Sequence, residues 1–274
     1  MPDLDAMTAY LAPEGFVSQV AGELTDVAAV HDRLVLARGA PQASRWAANV
    51  WRAPREIPVG SISEAARALR GIQRNWVPYT FRWHRRAALI QEKLPHVAAR
   101  PLEFPAPPPS APLGSWTLLA PDRLLAAGDC TSPFPHGEAR FVECKDGPPN
   151  RAYLKLWEAL TRAGARPAPG ERCLDAGASP GGWTWVLQRL GAQVLAVDRS
   201  PLDPGLMAAP GVTFRRGDAL ALTPERDGPF DWLFCDVACY PERLLAWLRT
   251  WLAAGACRRA ACTAKFQGAG HYGG

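Results

Sequence analysis

The feature that most constrains this chain is a strand that runs directly into a turn of small residues and then into a helix. In ERCLDAGASPGGWTWVLQRL, an apolar run ends at Asp175 and a turn follows from Gly177 through Ala178, Ser179, Pro180 and Gly181. A helix begins at Gly182 and runs to Leu190. Glycine lets the backbone approach a ligand closely, and a helix N-terminus points unpaired N–H groups at negative charge. Further strand signals follow at Gln193–Asp198, Val212–Arg215, Phe230–Asp236 and Arg259–Lys265, with a helix at Pro241–Ala253. Alternation of this kind predicts an α/β fold, a Rossmann-like, doubly wound parallel sheet.

The sheet occupies only the second half. A helix, RAYLKLWEALTRAG, leads into it, with Asn150 as its N-cap and Leu154, Trp157 and Leu160 on its apolar face. Residues 1–148 therefore read as a separate N-terminal region and residues 149–274 as the α/β domain. Six prolines between Pro101 and Pro112 exclude helix and central strand there and predict a linker or a surface crossing. Short strands are expected in SWTLLA and RLLAAGDC, and a helix over Ser63–Leu69 with Ser63 as its N-cap, so the N-terminal region is α+β.

Charge is uneven. The chain carries +5 overall, but Arg33 to Arg100 holds thirteen basic residues against three acids, Glu56, Glu64 and Glu92, a surplus of ten. Such a surplus suits a polyanion such as RNA, or is a solvated surface. Within it, NWVPYTFRWHRR interleaves rings and cations. Trp76, Phe81 and Trp83 are either stacking surfaces for bases or core. The seven cysteines include no CxxC pair, which argues against a metal site and a disulfide framework. No stretch is long and apolar enough for a membrane span, and MPDLDAMTAY lacks the pattern of a signal peptide. A cytoplasmic, monomeric protein is expected.

The glycine turn is not a dinucleotide fingerprint. That needs GxGxxG, whereas GASPGG has the wrong spacing and a proline inside. Asp198 closes the next strand 23 residues after Asp175, where an acid can take both ribose hydroxyls of a nucleoside. Asp218, after the third strand, could accept from an adenine amine. Acids at successive strand ends, beside a helix N-terminus that can hold a carboxylate, fit S-adenosylmethionine (SAM).

The remaining constellation is Lys155, Asp236 and Lys265. Only four of the 31 basic residues are lysine: Lys93, Lys145, Lys155 and Lys265. A lysine kept in so arginine-rich a chain suggests a task arginine cannot do, such as giving up its proton. A ribose hydroxyl is a poor nucleophile, and a neutral lysine could remove its proton during attack on a methyl group, with Asp236 orienting that lysine or the substrate. Methylation of a base nitrogen would call for an Asn/Asp-Pro-Pro-aromatic loop after strand four, where this chain has CDVACYPE, and C5-pyrimidine chemistry for a Pro-Cys nucleophile, which is absent.

DAGASPGGWT, AVD, RRGDAL, FCD, TAK and NRAYLKL together resemble the FtsJ-type RNA 2′-O-ribose methyltransferases, over roughly Asn150 to Lys265. The likeness is strongest to a branch acting on cytidine in large-subunit ribosomal RNA. Upstream, YLAPEGFVSQVAGEL and TSPFPHGEARF loosely resemble that branch's RNA-binding part, which includes a THUMP-like domain. The resemblance implies a Lys–Asp–Lys–Glu tetrad, matched in its first three members by Lys155, Asp236 and Lys265, with Lys265 as proton acceptor. It implies cofactor contacts from Asp175, Gly177, Ser179, Pro180, Gly181, Gly182 and Trp183, and from Asp198, Asp218 and Asp236. Two departures stand out. The family's glutamate lies in later strands, and this chain stops nine residues after Lys265 in QGAGHYGG, a glycine-rich run for which no strand is expected. A C-terminally short sheet with an exposed fifth strand is expected, and an inert SAM- and RNA-binding relative is the alternative to an active enzyme. Ala152 stands where a small hydroxyl residue is expected. A third reading, a small-molecule methyltransferase, has no use for the basic N-terminal half.

Overall fold

A computed structural model describes residues 7–266. The expectations for the first residues of MPDLDAMTAY and for QGAGHYGG fall wholly or partly outside the described residues. The chain divides into two compact units, one of residues 1–102 and 108–140, the other of residues 103–107 and 141–274.

The first unit contains β1 (Met7–Leu11), α1 (Val17–Glu23), β2 (Val27–His31), β3 (Leu34–Arg38), β4 (Asn49–Arg52), β5 (Arg55–Pro58), α2 (Ile62–Ile72), β6 (Trp76–Pro78), α3 (His84–Gln91), β7 (Gly114–Ala120), β8 (Arg123–Ala127) and β9 (Asp129–Cys130). One sheet runs β2-β3-β1-β4-β9 and a second β5-β8-β7-β6. Ala9, Leu11, Leu36 and Trp51 of the first sheet share a core with Leu125 and Ala127 of the second. Helices α2 and α3 bury Ala65, Ala66, Leu69, Ala87 and Ile90 against Trp116, Leu118 and Leu124. The α2 cap is Ser61 rather than Ser63: its side chain accepts from Glu64 N, and Glu64 Oε2 accepts from Gly60 N at 2.7 Å. A serine with a glutamate three residues on satisfies two otherwise unpaired N–H groups, which no pairing from Ser63 would do. Trp76 is core. It is fully buried, and its indole N–H donates to Leu69 O and Gln73 O, so it has no face for a base. Phe81 stacks on His31 at 5.7 Å and Trp83 packs, half-buried, on the helical core.

The second unit contains α4 (Tyr153–Ala163), β10 (Arg172–Ala176), α5 (Gly182–Arg189), β11 (Gln193–Asp198), α6 (Pro204–Met207), β12 (Val212–Arg216), α7 (Pro224–Asp227), β13 (Phe230–Cys235), α8 (Pro241–Ala253) and β14 (Cys257–Cys262). Its sheet is wholly parallel, in the order β12-β11-β10-β13-β14. The order reverses between β10 and β13, and the crevice beyond the strands' carboxyl ends at such a point is where ligands bind. Helix α4 begins two residues later than the sequence suggests, with Ala152 at its cap. Asn150 instead braces the turn before it, its Oδ1 accepting from Ala152 N at 3.1 Å. The buried face of α4 is Tyr153, Leu156, Trp157 and Leu160, with Leu154 only half-buried. Strand β14 stops at Cys262, so Lys265 lies past the strand rather than ending it. Among the described residues β14 pairs only with β13, and it carries exposed Arg258 and Arg259, charges that discourage pairing with another edge.

The period of two along β10 explains the most buried carboxyl among the described residues. Cys173 faces the core under α4 and α5, Leu174 and Ala176 face the core under α8, and Asp175 falls on the α5 side. It is fully buried, and its Oδ2 accepts from Thr184 Oγ1 at 2.6 Å. Burial pushes this carboxyl up to about 7; the Thr184 hydrogen bond opposes that, and Asp236 and Asp198 add to it. An unfolded aspartate titrates at about 3.9. Between these values the folded chain binds the proton and the unfolded chain does not, so the contribution of Asp175 to stability falls as pH rises from about 4 to about 7. The difference in melting temperature between the unsubstituted chain and Asp175→Asn should therefore shift steadily in favour of the variant over that range; a pH-independent difference would contradict the raised carboxyl.

Candidate cofactor and catalytic site

The turn after β10 closes on glycines that cannot be replaced without movement. Gly177 has φ +81°, and a Cβ there would lie 2.7 Å from Val237 Cγ2 and 3.0 Å from Val237 N. Gly181 has φ +119° at the cap of α5, where a Cβ would meet Leu206 Cδ1 at 2.3 Å. Both positions need a residue that tolerates positive φ and adds no side chain. Pro180 is fixed through its carbonyl, which accepts from Asp203 N at 2.9 Å. Gly182 packs under the Asn150 amide, whose Oδ1 would be 2.1 Å from an added Cβ. Trp183 is buried and donates its indole N–H to Ala152 O at 2.9 Å.

A cavity of about 330 Å³ opens beyond the strands' carboxyl ends. Of the residues singled out from the sequence, Gly177, Ser179, Asp198, Asp218, Asp236 and Lys265 line it. Asp175 does not, because the strand's alternation turns it into the core onto Thr184. Pro180, Gly181, Gly182 and Trp183 build the turn behind the lining. Asp198 accepts one N–H on each oxygen, Ser179 N at 3.1 Å and Ser200 N at 2.9 Å. A carboxylate has about four acceptor positions, so both oxygens can still accept a hydroxyl.

Asp218 is more heavily engaged than its sequence suggests. Oδ1 accepts from Leu220 N at 3.0 Å, and Oδ2 lies 2.8 Å from Arg199 and 3.5 Å from Arg243. Partial burial pushes this carboxyl up, but the Leu220 N–H and the two guanidinium groups outweigh it and hold the carboxyl below its ordinary range. Arg199 and Arg243 also line the cavity and were not singled out from the sequence. The signals were present: Arg199 follows Asp198 directly, and Arg243 sits in the first turn of α8.

Asp236 takes both lysines. Lys155 Nζ lies 3.3 Å from Oδ2; Lys265 Nζ lies 3.1 Å from Oδ1 and donates to the Asp236 carbonyl at 2.6 Å. Asp236 is held by its own N–H, which donates to Ala176 O at 3.1 Å, and Thr263 N donates to Cys235 O at 2.9 Å, placing the segment that carries Lys265 beside it. The Asp236 side chain is 15% exposed, against 35% for Lys265 and 54% for Lys155, so the carboxylate is the fixed member and the amines reach to it from the sides open to solvent. No group of residues that could hold a metal ion occurs among the described residues, and no described helix is long and apolar enough to cross a membrane.

Residues 148–250 match the family described as FtsJ-like methyltransferase. The chain is 45% identical over 107 residues to ribosomal RNA large subunit methyltransferase M of Halorhodospira halophila, which covers 38% of this chain and 31% of that protein. It is 38% identical over 147 residues to the protein of the same name in Azotobacter vinelandii, covering 52% of this chain and 41% of the other. The chain thus spans between about a third and two fifths of the length of these relatives. Among solved structures, TrmN from Thermus thermophilus overlaps 92% of this chain and 85% of its own, at 16% identity and a TM-score of 0.33, too loose a likeness to bear on function.

The residues present fit SAM. The cavity is on the scale of ligand pockets, roughly 300–1,000 Å³, and it combines a glycine that no side chain can replace with an aspartate whose two oxygens keep open acceptor positions for a ribose diol. Removing such a charged acceptor costs roughly 1.5–3 kcal/mol. Asp198→Ala should therefore weaken SAM binding about ten- to a hundred-fold by calorimetry, and unchanged affinity would remove Asp198 from the site. The turn, the parallel sheet with its reversal between β10 and β13, and the family match agree: residues 148–250 are an FtsJ-like methyltransferase domain with S-adenosylmethionine as its cofactor.

Proposed function

We propose that this chain transfers a methyl group to a ribose 2′-hydroxyl of RNA, with large-subunit ribosomal RNA as the substrate. The observation that carries this reading is the pair of lysine ammonium groups on the single carboxylate of Asp236, at the rim of a cavity suited to a nucleoside. SAM supplies an electrophilic methyl group when bound. The chain's part is to hold the hydroxyl in line and to receive its proton. Lys265 is the better placed acceptor, because it lines the cavity and is fixed twice by Asp236. Asp236 is the common anchor of both amines, so the two lysines are brought to the same edge of the cavity. Lys155, more exposed, orients Asp236 from its other oxygen.

The basic surplus between Arg33 and Arg100 lies in the first unit, where an RNA contact is proposed, THUMP-like or otherwise. The names of the relatives support ribosomal RNA as the substrate class. A small-molecule acceptor would leave that surplus without a role. The proposed setting is the cytoplasm, with the RNA.

Removing a positioned proton acceptor costs roughly 10²–10⁴ in rate. Lys265→Ala should lose that much in single-turnover methyl transfer to unmodified ribosomal RNA while SAM affinity by calorimetry stays within about two-fold. Lys155→Ala should also slow transfer, by a smaller factor. Equal transfer by Lys265→Ala and the unsubstituted chain would refute lysine as the base. SAM binding without any transfer by the unsubstituted chain would favour the inert, binding-only relative.

A further inference from the structure

The first unit holds a cavity of about 360 Å³ that the methyl-transfer chemistry does not use. Part of its wall is the proline-rich crossing, through Pro109 and Pro112; another part is the loop carrying Phe134 and Pro135. Both segments are tied down. Asn75 Nδ2 donates to Pro112 O at 3.2 Å, and Leu102 N donates to Arg140 O at 2.7 Å. The proline rings and Phe134 give these walls an apolar face.

The polar lining is cationic. Arg100 and Arg140 stand exposed at the cavity against one acid, Glu138. Glu138 is already shared, with Arg33 at 3.5 Å and Arg140 at 3.7 Å, so the local balance remains positive. His136 also lines the cavity. Burial lowers its imidazole, Glu138 opposing and Arg33 and Arg140 assisting, so the ring is neutral at pH 7 and offers one donor and one acceptor.

A cavity of about 360 Å³ lined by prolines and two arginines is too small to take in a helix of either protein or nucleic acid, since an α-helix alone is about 10–12 Å across. The charge balance favours a polyanion over a peptide. RNA outside a duplex exposes unstacked bases that pack on flat side chains while arginine takes the phosphate.

We propose that this cavity takes one unstacked nucleotide of single-stranded RNA, its base against the proline walls and its phosphate at Arg100 and Arg140. The inference deepens the RNA reading above and rests on it for the identity of the polymer. It also assigns the proline-rich crossing a role as a wall rather than a spacer.

The test uses the full chain and a fluorescein-labelled single-stranded RNA of ten nucleotides, followed by anisotropy. Ala111 lines the cavity and is exposed, so Ala111→Trp can obstruct the slot from a tolerant position. It should weaken binding about ten-fold, the order of one lost base-stacking contact. Arg100→Gln with Arg140→Gln should weaken it as well and lower the salt slope by about 0.7, one phosphate's share on a single strand. A ten-mer lacking its bases should bind weakly and ignore Ala111→Trp. RNA affinity unchanged by Ala111→Trp, or an equal response from the base-free ten-mer, would overturn the proposal; so would tighter binding of a proline-rich peptide than of RNA. SAM titrations of the same variants report on the other unit. Loss of RNA binding with SAM binding intact isolates the cavity, whereas absent SAM binding in the unsubstituted chain with the RNA response intact would sink the methyl-transfer reading alone.

Discussion

Two ammonium groups share one carboxylate at the end of β13, and the chemistry proposed here follows from that sharing. Asp236 is the least exposed of the three, and its N–H is tied to Ala176 O across β10. Lys155 arrives from α4 and Lys265 from the segment after β14, 110 residues apart in sequence. The sheet fixes the carboxylate, and the carboxylate gathers the amines. Any change that moves β13 against β10 moves the carboxylate that both lysines meet.

The same sheet separates two kinds of aspartate. Asp198, Asp218 and Asp236 stand at or just beyond strand ends, where the chain leaves the sheet and carboxylates meet the cavity. Asp175 sits one residue inside its strand, and the alternation of β10 buries it under Thr184 instead. Two residues of identical chemistry thus do different work according to one step of register. Asp175 links the glycine turn to α5, and its burial raises its carboxyl, whereas Asp218 is held ionised by its N–H and guanidinium partners.

Much of the second unit was legible in the sequence because local signals and the global fold agree there. Gln193–Asp198 and Pro241–Ala253 have the bounds their patterns imply, and the turn glycines sit where positive φ demands them. What was not legible involves side chains choosing among partners. Asn150 looks like a cap but braces a turn; Ser63 looks like a cap, yet Ser61 has the glutamate at the right spacing. Lys265 was expected on a strand that stops three residues earlier. Arg199 beside Asp198 and Arg243 in the first turn of α8 are visible as residues, but their pairing with Asp218 across 19 and 25 residues leaves no periodic trace. In the first unit the aromatic–basic run reads equally as core or as a stacking surface, and packing resolves it residue by residue, with Trp76 interior and Phe81 on His31.

The most direct test of the central claim is the identity of the product. Unmodified large-subunit ribosomal RNA, incubated with this chain and methyl-labelled SAM and then hydrolysed in alkali, should release the label in an alkali-resistant dinucleotide, because a 2′-O-methyl group removes the nucleophile that alkaline cleavage requires. Label recovered instead in mononucleotides would place the methyl group on a base and contradict the role assigned to Lys155, Asp236 and Lys265.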